Sequence, residues 1–219
     1  MERGEKTRNR ILDAAAECFA GRGYEGATVR GICRAAGVNV ASVNYFFGSK
    51  ERLYIEVFGR VIGRTAGPLL HLADGVRDPE SWRSAIRAWV TGMLRGILSE
   101  RPPESWATRM IARERAAPSA SLAHIHERFM SGIRRELDRL IRMAFAREPG
   151  EAVVADWVDM VFGPILLYAF RAPPWDRILG IPPAAGREVW IRRRAEFITE
   201  RITSRLRFRR FVPAGKGSR

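Results

Sequence analysis

Between residues 28 and 50 the run TVRGICRAAGVNVASVNYFFGSK brings together hydroxyl, amide, phenol and ammonium groups, on Thr28, Asn39, Ser42, Asn44, Tyr45 and Lys50. Groups of this kind can reach phosphate oxygens and base edges, which is non-covalent recognition rather than catalysis. Signatures of enzyme chemistry are missing. The chain has no Gly-rich phosphate loop, no HExxH and no Gly-x-Ser-x-Gly. His124 and His126 come nearest to a metal cluster, but residues two apart on a helix face different ways, so no metal is expected. His71 stands alone. No catalytic residue and no cofactor is assigned, and an enzyme is not expected.

The elements that must position these groups are short helices. Thr28 is an N-cap residue, because its hydroxyl can accept from an orphan N–H at a helix start. Val29, Ile32 and Ala36 recur at helical spacing. Gly37 follows where a left-handed residue ends a helix. Asn39 then caps a second helix, in which Val43 and Phe47 point inward together at i and i+4. Gly48 closes it, and Ser49 caps a third. Two helices joined by a Gly-containing turn form a helix-turn-helix, whose second helix fits a DNA major groove. A preceding helix over 5–22, ended by Gly21 and Gly23, supplies Ile11, Ala15 and Phe19 to a small core with Ile32, Val43 and Phe47.

The run Ile11–Leu53, ILDAAAECFAGRGYEGATVRGICRAAGVNVASVNYFFGSKERL, resembles the DNA-binding domain of the tetracycline-repressor (TetR) family. The resemblance covers about the first quarter of the chain. Carried over position by position, it implies DNA contacts from Thr28, Arg30, Asn39, Val40, Ala41, Ser42, Asn44, Tyr45, Phe46 and Lys50. Two departures weaken the pattern. Asn44 stands where many relatives have an aromatic, and Phe46 replaces a frequent Tyr or His. Lys50 opens the next helix, where ammonium charge and free backbone N–H groups together suit phosphate.

Composition agrees with a nucleic-acid partner. The 219 residues carry 38 Lys plus Arg against 24 Asp plus Glu, a formal charge of +14. Such a balance favours polyanions. Part of the excess lies in the tail RLRFRRFVPAGKGSR. The charged start MERGEKTRNR is no signal peptide, and the apolar run 153–170 is interrupted by Asp156, Asp159 and Gly163-Pro164, so no membrane span is expected. Only Cys18 and Cys33 are present, which implies no disulfide framework and fits a reducing cytoplasm.

The rest of the chain reads as helices, giving an all-α fold: a DNA-binding domain over 1–50, a helical effector-binding and dimerisation domain over 51–208, and a basic tail over 209–219. A helix over 49–65 links the two domains. Asp78-Pro79-Glu80 opens another, carrying Trp82, Ile86, Trp89, Met93 and Ile97. A shorter helix ends near Arg115. A long one is expected from Pro118-Ser119 to Pro149-Gly150, then a very apolar one over 151–171 and a last one over 185–208. The apolar helix shows no polar face, so it must be covered on more than one side.

The resemblance implies a four-helix dimer interface from the last two long helices, with Trp157, Phe162, Ile165, Trp190, Phe197 and Ile198 as its candidate residues. It also implies a small-molecule effector. Trp82, Trp89, Met93, Trp106, Arg109, Met110, Phe129 and Tyr168 are the candidate pocket, although at helical spacing they suit plain core as well. The function implied is a ligand-responsive repressor, binding a pseudo-palindromic operator as a homodimer. A DNA-packaging protein would not need some 150 further residues of apolar helices.

Overall fold

The computed structural model describes residues 2–98, 104–125, 127, 131–168 and 173–209, among which there is no strand. The helices are α1 (Glu2–Gly26), α2 (Val29–Ala36), α3 (Val40–Phe47), α4 (Lys50–Ala66), α5 (Pro79–Leu98), α6 (Glu104–Ala116), α7 (Leu122–Ile125), α8 (Ser131–Arg142), α9 (Glu151–Leu167), α10 (Pro173–Ile178) and α11 (Ala184–Arg205), with 3₁₀ turns at Gly67–Leu69 and Leu72–Gly75. None is long and apolar enough to cross a membrane. The fold is all-α, as the sequence predicts.

The chain forms two compact units, residues 1–65 with 99–130 and residues 66–98 with 131–219. This division differs from a first boundary at residue 50. Nearly all of α4 belongs to the first unit, because Leu53, Tyr54, Val57 and Phe58 are buried there. Helix α6 joins it by packing on α1.

In the first unit, Ile11, Ala15, Phe19, Ile32, Val43 and Phe47 are all buried, which is the core expected from their spacing. α1 runs straight through Gly21 and breaks only at Gly23, whose φ of 72° lies in the left-handed region. Tyr54 seats its ring edge-on against Phe19, with centroids 4.7 Å apart.

In the second unit, α5 packs against α8, α9 and α11. Its two tryptophans are tied down by their indoles. Trp82 donates to the Leu140 carbonyl at 2.7 Å and Trp89 to that of Ile133 at 3.2 Å. Arg83 and Arg87 donate to Glu196 at 2.6 and 2.9 Å, and Arg95 pairs with Glu188, so one face of α5 is stitched to α11. These arginines hold both carboxyls below their ordinary pKa. The buried carboxylate of Glu136 accepts from the Ala73 amide at 2.6 Å and from Arg139 at 2.9 Å, which fixes the second 3₁₀ turn to α8.

The helix expected to run on to Pro149-Gly150 stops earlier: α8 ends at Arg142 with the tightened bonds Ala144 N–H to Ile141 and Phe145 N–H to Arg142. Ion pairs explain the early stop, since Arg142 gathers Asp138, Glu148 and Glu151 and folds the following loop back. The basic tail is docked as far as Arg209: Leu206 is buried, Phe208 lies 6.2 Å from the Trp82 ring, and the Arg209 amide donates to the Met143 carbonyl at 3.1 Å.

Gly92 marks the closest approach in this unit. A Cβ there would collide with Cδ2 of buried Leu69 and lie 3.3 Å from its Cγ and Cδ1, so the whole isobutyl group would have to move. Such overpacking costs about 1–3 kcal/mol. Alanine normally adds about 1 kcal/mol to a helix interior. Gly92→Ala should therefore lower the urea midpoint, whereas Gly63→Ala, with nothing within 4 Å, should raise it; equal midpoints for the two variants would contradict the packing.

Candidate nucleic-acid interface

The turn between α2 and α3 is built from caps. The Thr28 hydroxyl accepts from the Gly31 amide at 3.1 Å and starts α2. Gly37, at φ 64° and ψ 41°, ends it, with Gly37 N–H donating to Arg34 and Val38 N–H to Cys33 in a Schellman arrangement. Asn39 Oδ1 then accepts from the Ser42 amide at 2.8 Å and the Ser42 hydroxyl at 2.9 Å, which starts α3. Gly48, at φ 76°, closes α3, and the Ser49 hydroxyl accepts from the Arg52 amide to start α4.

Between these caps α3 turns Val43 and Phe47 into the core and leaves Val40, Ala41, Asn44 and Tyr45 facing solvent. Tyr45 is 84% exposed, extreme for an aromatic side chain in a folded domain. Phe46 is half-buried and meets the Tyr45 ring edge-on at 5.0 Å, so it props that ring outward. Lys50 is half-buried, with Nζ 4.3 Å from the centre of the Tyr24 ring. Arg30 is exposed, and Thr28, Asn39 and Ser42 each have a capping bond.

Sequence reasoning missed two participants. Tyr24 carries Lys50, and the Arg10 guanidinium reaches the Gly37 carbonyl at 3.4 Å, which brings positive charge to the turn. Neither has a local motif, because each depends on a helix distant in sequence. Both thiols are raised above their usual pKa by burial, which suits packing rather than reactivity.

The other candidate residues separate. Trp82, Trp89 and Met93 are buried along α5, with the two indoles bonded to α8. Met110 is buried, Trp106 half-buried and Arg109 exposed, all on α6 in the first unit. The first three residues thus belong to the second unit and the last three to the first. Phe129 lies outside the described residues. Tyr168 is different again. Arg194 donates to its hydroxyl at 2.7 and 2.9 Å, and it lines an open cavity of about 580 Å³ between α9 and α11. Trp157, Phe197 and Ile198 line the same cavity, and Trp190 is half-buried with its ring edge-on to Tyr168 at 5.5 Å.

Phe162 and Ile165, expected at a subunit interface, point into their own unit instead. Ile165 is fully buried, and Phe162 lies 5.7 Å from the Trp89 ring. The reason is helical phase. Val154, Val158, Val161, Phe162 and Ile165 share the inward side of α9, while Val153, Met160 and Leu167 face out.

Comparison with known proteins covers both parts of the chain. A family model described as bacterial regulatory proteins, tetR family, matches residues 11–57, over the caps and the exposed α3 face. Over these residues the chain matches the TetR family. A second model, the C-terminal domain of the HTH-type transcriptional dual regulator CecR, matches residues 82–180. Among TetR-family relatives, CecR of Shigella flexneri is 30% identical over 145 residues, 64% of this chain and 65% of that regulator. The repressor AcnR of Corynebacterium efficiens is 36% identical over 97 residues, 41% of this chain and 51% of that protein. The chain thus spans between half and two-thirds of the length of these curated relatives. They are transcriptional regulators, not enzymes. In fold it is similar to the regulator FadR from Bacillus subtilis in complex with stearoyl-CoA, with a TM-score of 0.66 at 16% identity over 90% of this chain and 98% of that one. It is also similar to HlyIIR, a hemolysin II transcriptional regulator, with a TM-score of 0.56 at 21% identity over 93% and 98%.

The Asn39 cap can be separated from any contact it makes. Asn39→Ala removes the acceptor for Ser42 and should destabilise the protein by about 1 kcal/mol. Asn39→Asp keeps that acceptor and should hold stability near the starting value. Denaturant unfolding of both variants checks this, and a loss in the aspartate variant equal to that in the alanine variant would refute the capping role.

Proposed function

We propose that this protein is a transcriptional regulator that binds a pseudo-palindromic DNA site as a homodimer, most simply a repressor released by a small molecule. One observation carries the reading. α3 is fixed from below by Val43 and Phe47 and capped at both ends, and it holds Val40, Ala41, Asn44 and Tyr45 clear of the protein. An outward helix face beside Lys50 and Arg30 fits a major groove flanked by phosphates. Tyr45 offers a phenol and Asn44 an amide to the groove, and Lys50 a charge to the backbone. The two relatives described above as a dual regulator and a repressor support the same class of activity.

The outer faces of α9 and α11 support the dimer reading. Met160 is 54% and Phe197 48% exposed, with Val153, Leu167 and Val189 exposed beside them in sequence, and Trp157, Trp190 and Ile198 half-buried. A monomer rarely leaves so many large apolar groups in water on two adjacent helices. A second copy set across α9 and α11 would cover them and seat side chains in the cavity beside Tyr168. A two-fold dimer presents two α3 helices to successive half-sites, about 34 Å apart. An effector would act by favouring a subunit arrangement with a different spacing, and by linkage DNA would weaken effector binding by the same factor. α4, which starts at Lys50, is the helix through which that shift reaches the DNA-binding face. The structural relative in complex with stearoyl-CoA is a precedent for a bound small molecule in this fold.

Selection of genomic fragments by the purified protein should recover a two-fold sequence. Tyr45→Ala combined with Lys50→Ala should abolish retardation of that fragment in a gel with the circular-dichroism spectrum unchanged; full retardation by the double variant would overturn the reading.

Subunit assembly is tested separately. Met160→Asp with Phe197→Asp should convert a dimer to a folded monomer in sedimentation velocity, because a charge on this face cannot be desolvated without a partner. A dimer that survives both changes would place the interface elsewhere.

A further inference from the structure

Two neighbouring residues of α6 grip two different helices of the first unit. Arg113 donates through Nε to the Ala20 carbonyl at 3.0 Å and through its terminal nitrogen to that of Gly21. Those carbonyls lie just before the break at Gly23, where the helical geometry of α1 is interrupted. A Cβ on Gly23 would lie 3.7 Å from Arg113 Cδ, so the arginine runs along the break itself. Glu114 faces the other way. It is 3% exposed, and one carboxylate oxygen accepts from the Tyr54 hydroxyl of α4 at 2.5 Å. The other accepts from the Ser119 amide at 2.9 Å, which folds the chain after α6 back on the same group.

From Tyr54 the contacts continue to the DNA-binding face. Its ring lies 5.0 Å from that of Tyr24, and Tyr24 carries Lys50. Each of these contacts lies within the first unit. The route therefore runs from α6, through one buried hydroxyl, to the ammonium group at the start of α4.

We propose that Arg113 and Glu114 form a two-point latch by which α6 sets the position of α4 and Lys50 relative to α1. A carboxylate this deeply buried is costly when it loses a donor, so a small slide of α6 has no stable intermediate. Either both grips hold or α6 leaves as a unit. Arg113 and Glu114 are thus positioning residues that touch no ligand. Only the consequence for DNA rests on the regulator reading, whereas the latch itself does not.

The test uses the full-length protein and two mild variants, Tyr54→Phe, which deletes one hydroxyl, and Arg113→Ala, which removes an exposed side chain. Amide hydrogen exchange across residues 104–116 should rise roughly tenfold in each, the order expected when one hydrogen bond to a charged group is lost. The double variant should exchange no faster than either single one, because the second grip does nothing once the first has opened. Exchange in α8 should stay as it was. Rises that multiply in the double variant, or α6 exchange unchanged in either single one, would overturn the latch. On a DNA fragment selected with the original protein, each variant should bind with the same loss of affinity, although neither altered residue faces the duplex. Full affinity in either variant would also count against the latch. If the original protein selects no DNA, the regulator reading falls, and the exchange data still decide the latch.

Discussion

An eight-residue helix in water does not hold itself together, because nucleation costs more than so few hydrogen bonds return. α3 is such a helix, and its geometry rests on the burial of Val43 and Phe47. Those two side chains fix its rotation about its own axis. The Asn39 and Gly48 caps fix its ends, and Phe46 fixes where the Tyr45 ring stands. The outward face is therefore rigid only because the inward face is packed. Any change that loosened Ile11, Phe19 or Ile32 beneath it would blur the outward face of α3 before it unfolded the protein.

The second unit solves a different problem, holding several longer helices around α5. Apolar burial supplies the driving force, and polar contacts supply the register. The indoles of Trp82 and Trp89 bind carbonyls two turns apart on α8, which sets the translation of one helix along the other. The Arg83, Arg87 and Glu196 group does the same for α11. Pairs as exposed as these add little stability individually. Their value lies in excluding neighbouring registers that the same apolar side chains would tolerate.

Much of the first unit was legible because its signals are local. Thr28, Gly37, Asn39 and Gly48 announce helix ends through their own chemistry, and Val43 and Phe47 announce an inward face through spacing alone. What escaped was long-range. The Tyr54–Glu114 bond joins residues 60 apart, and nothing near either one indicates it. Around α8 the apolar stripe from Leu122 to Ile141 is periodic enough for a single helix, but pairing of Arg142 with Glu148 and Glu151 ends it early. In α9 the composition is apolar all round, so it revealed that two sides need covering without saying which. That is why composition alone puts Phe162 and Ile165 at an interface when their phase sends them inward. The aromatic residues of α5 and α6 look alike in sequence, and only the tertiary structure sends them to separate units.

The segment after α11 carries a consequence for how the protein is handled. Leu206 and Phe208 close the end of α5 over Trp82, and the Arg209 amide occupies a carbonyl that the early stop of α8 leaves open at Met143. A truncation at the last helical residue would strip this stopper away, wetting an indole and orphaning a main-chain oxygen together. Purification tags fused after Arg209 leave the stopper seated, whereas trimming to the helix boundary would yield a leakier protein whose ligand and DNA measurements report the damage instead of the molecule.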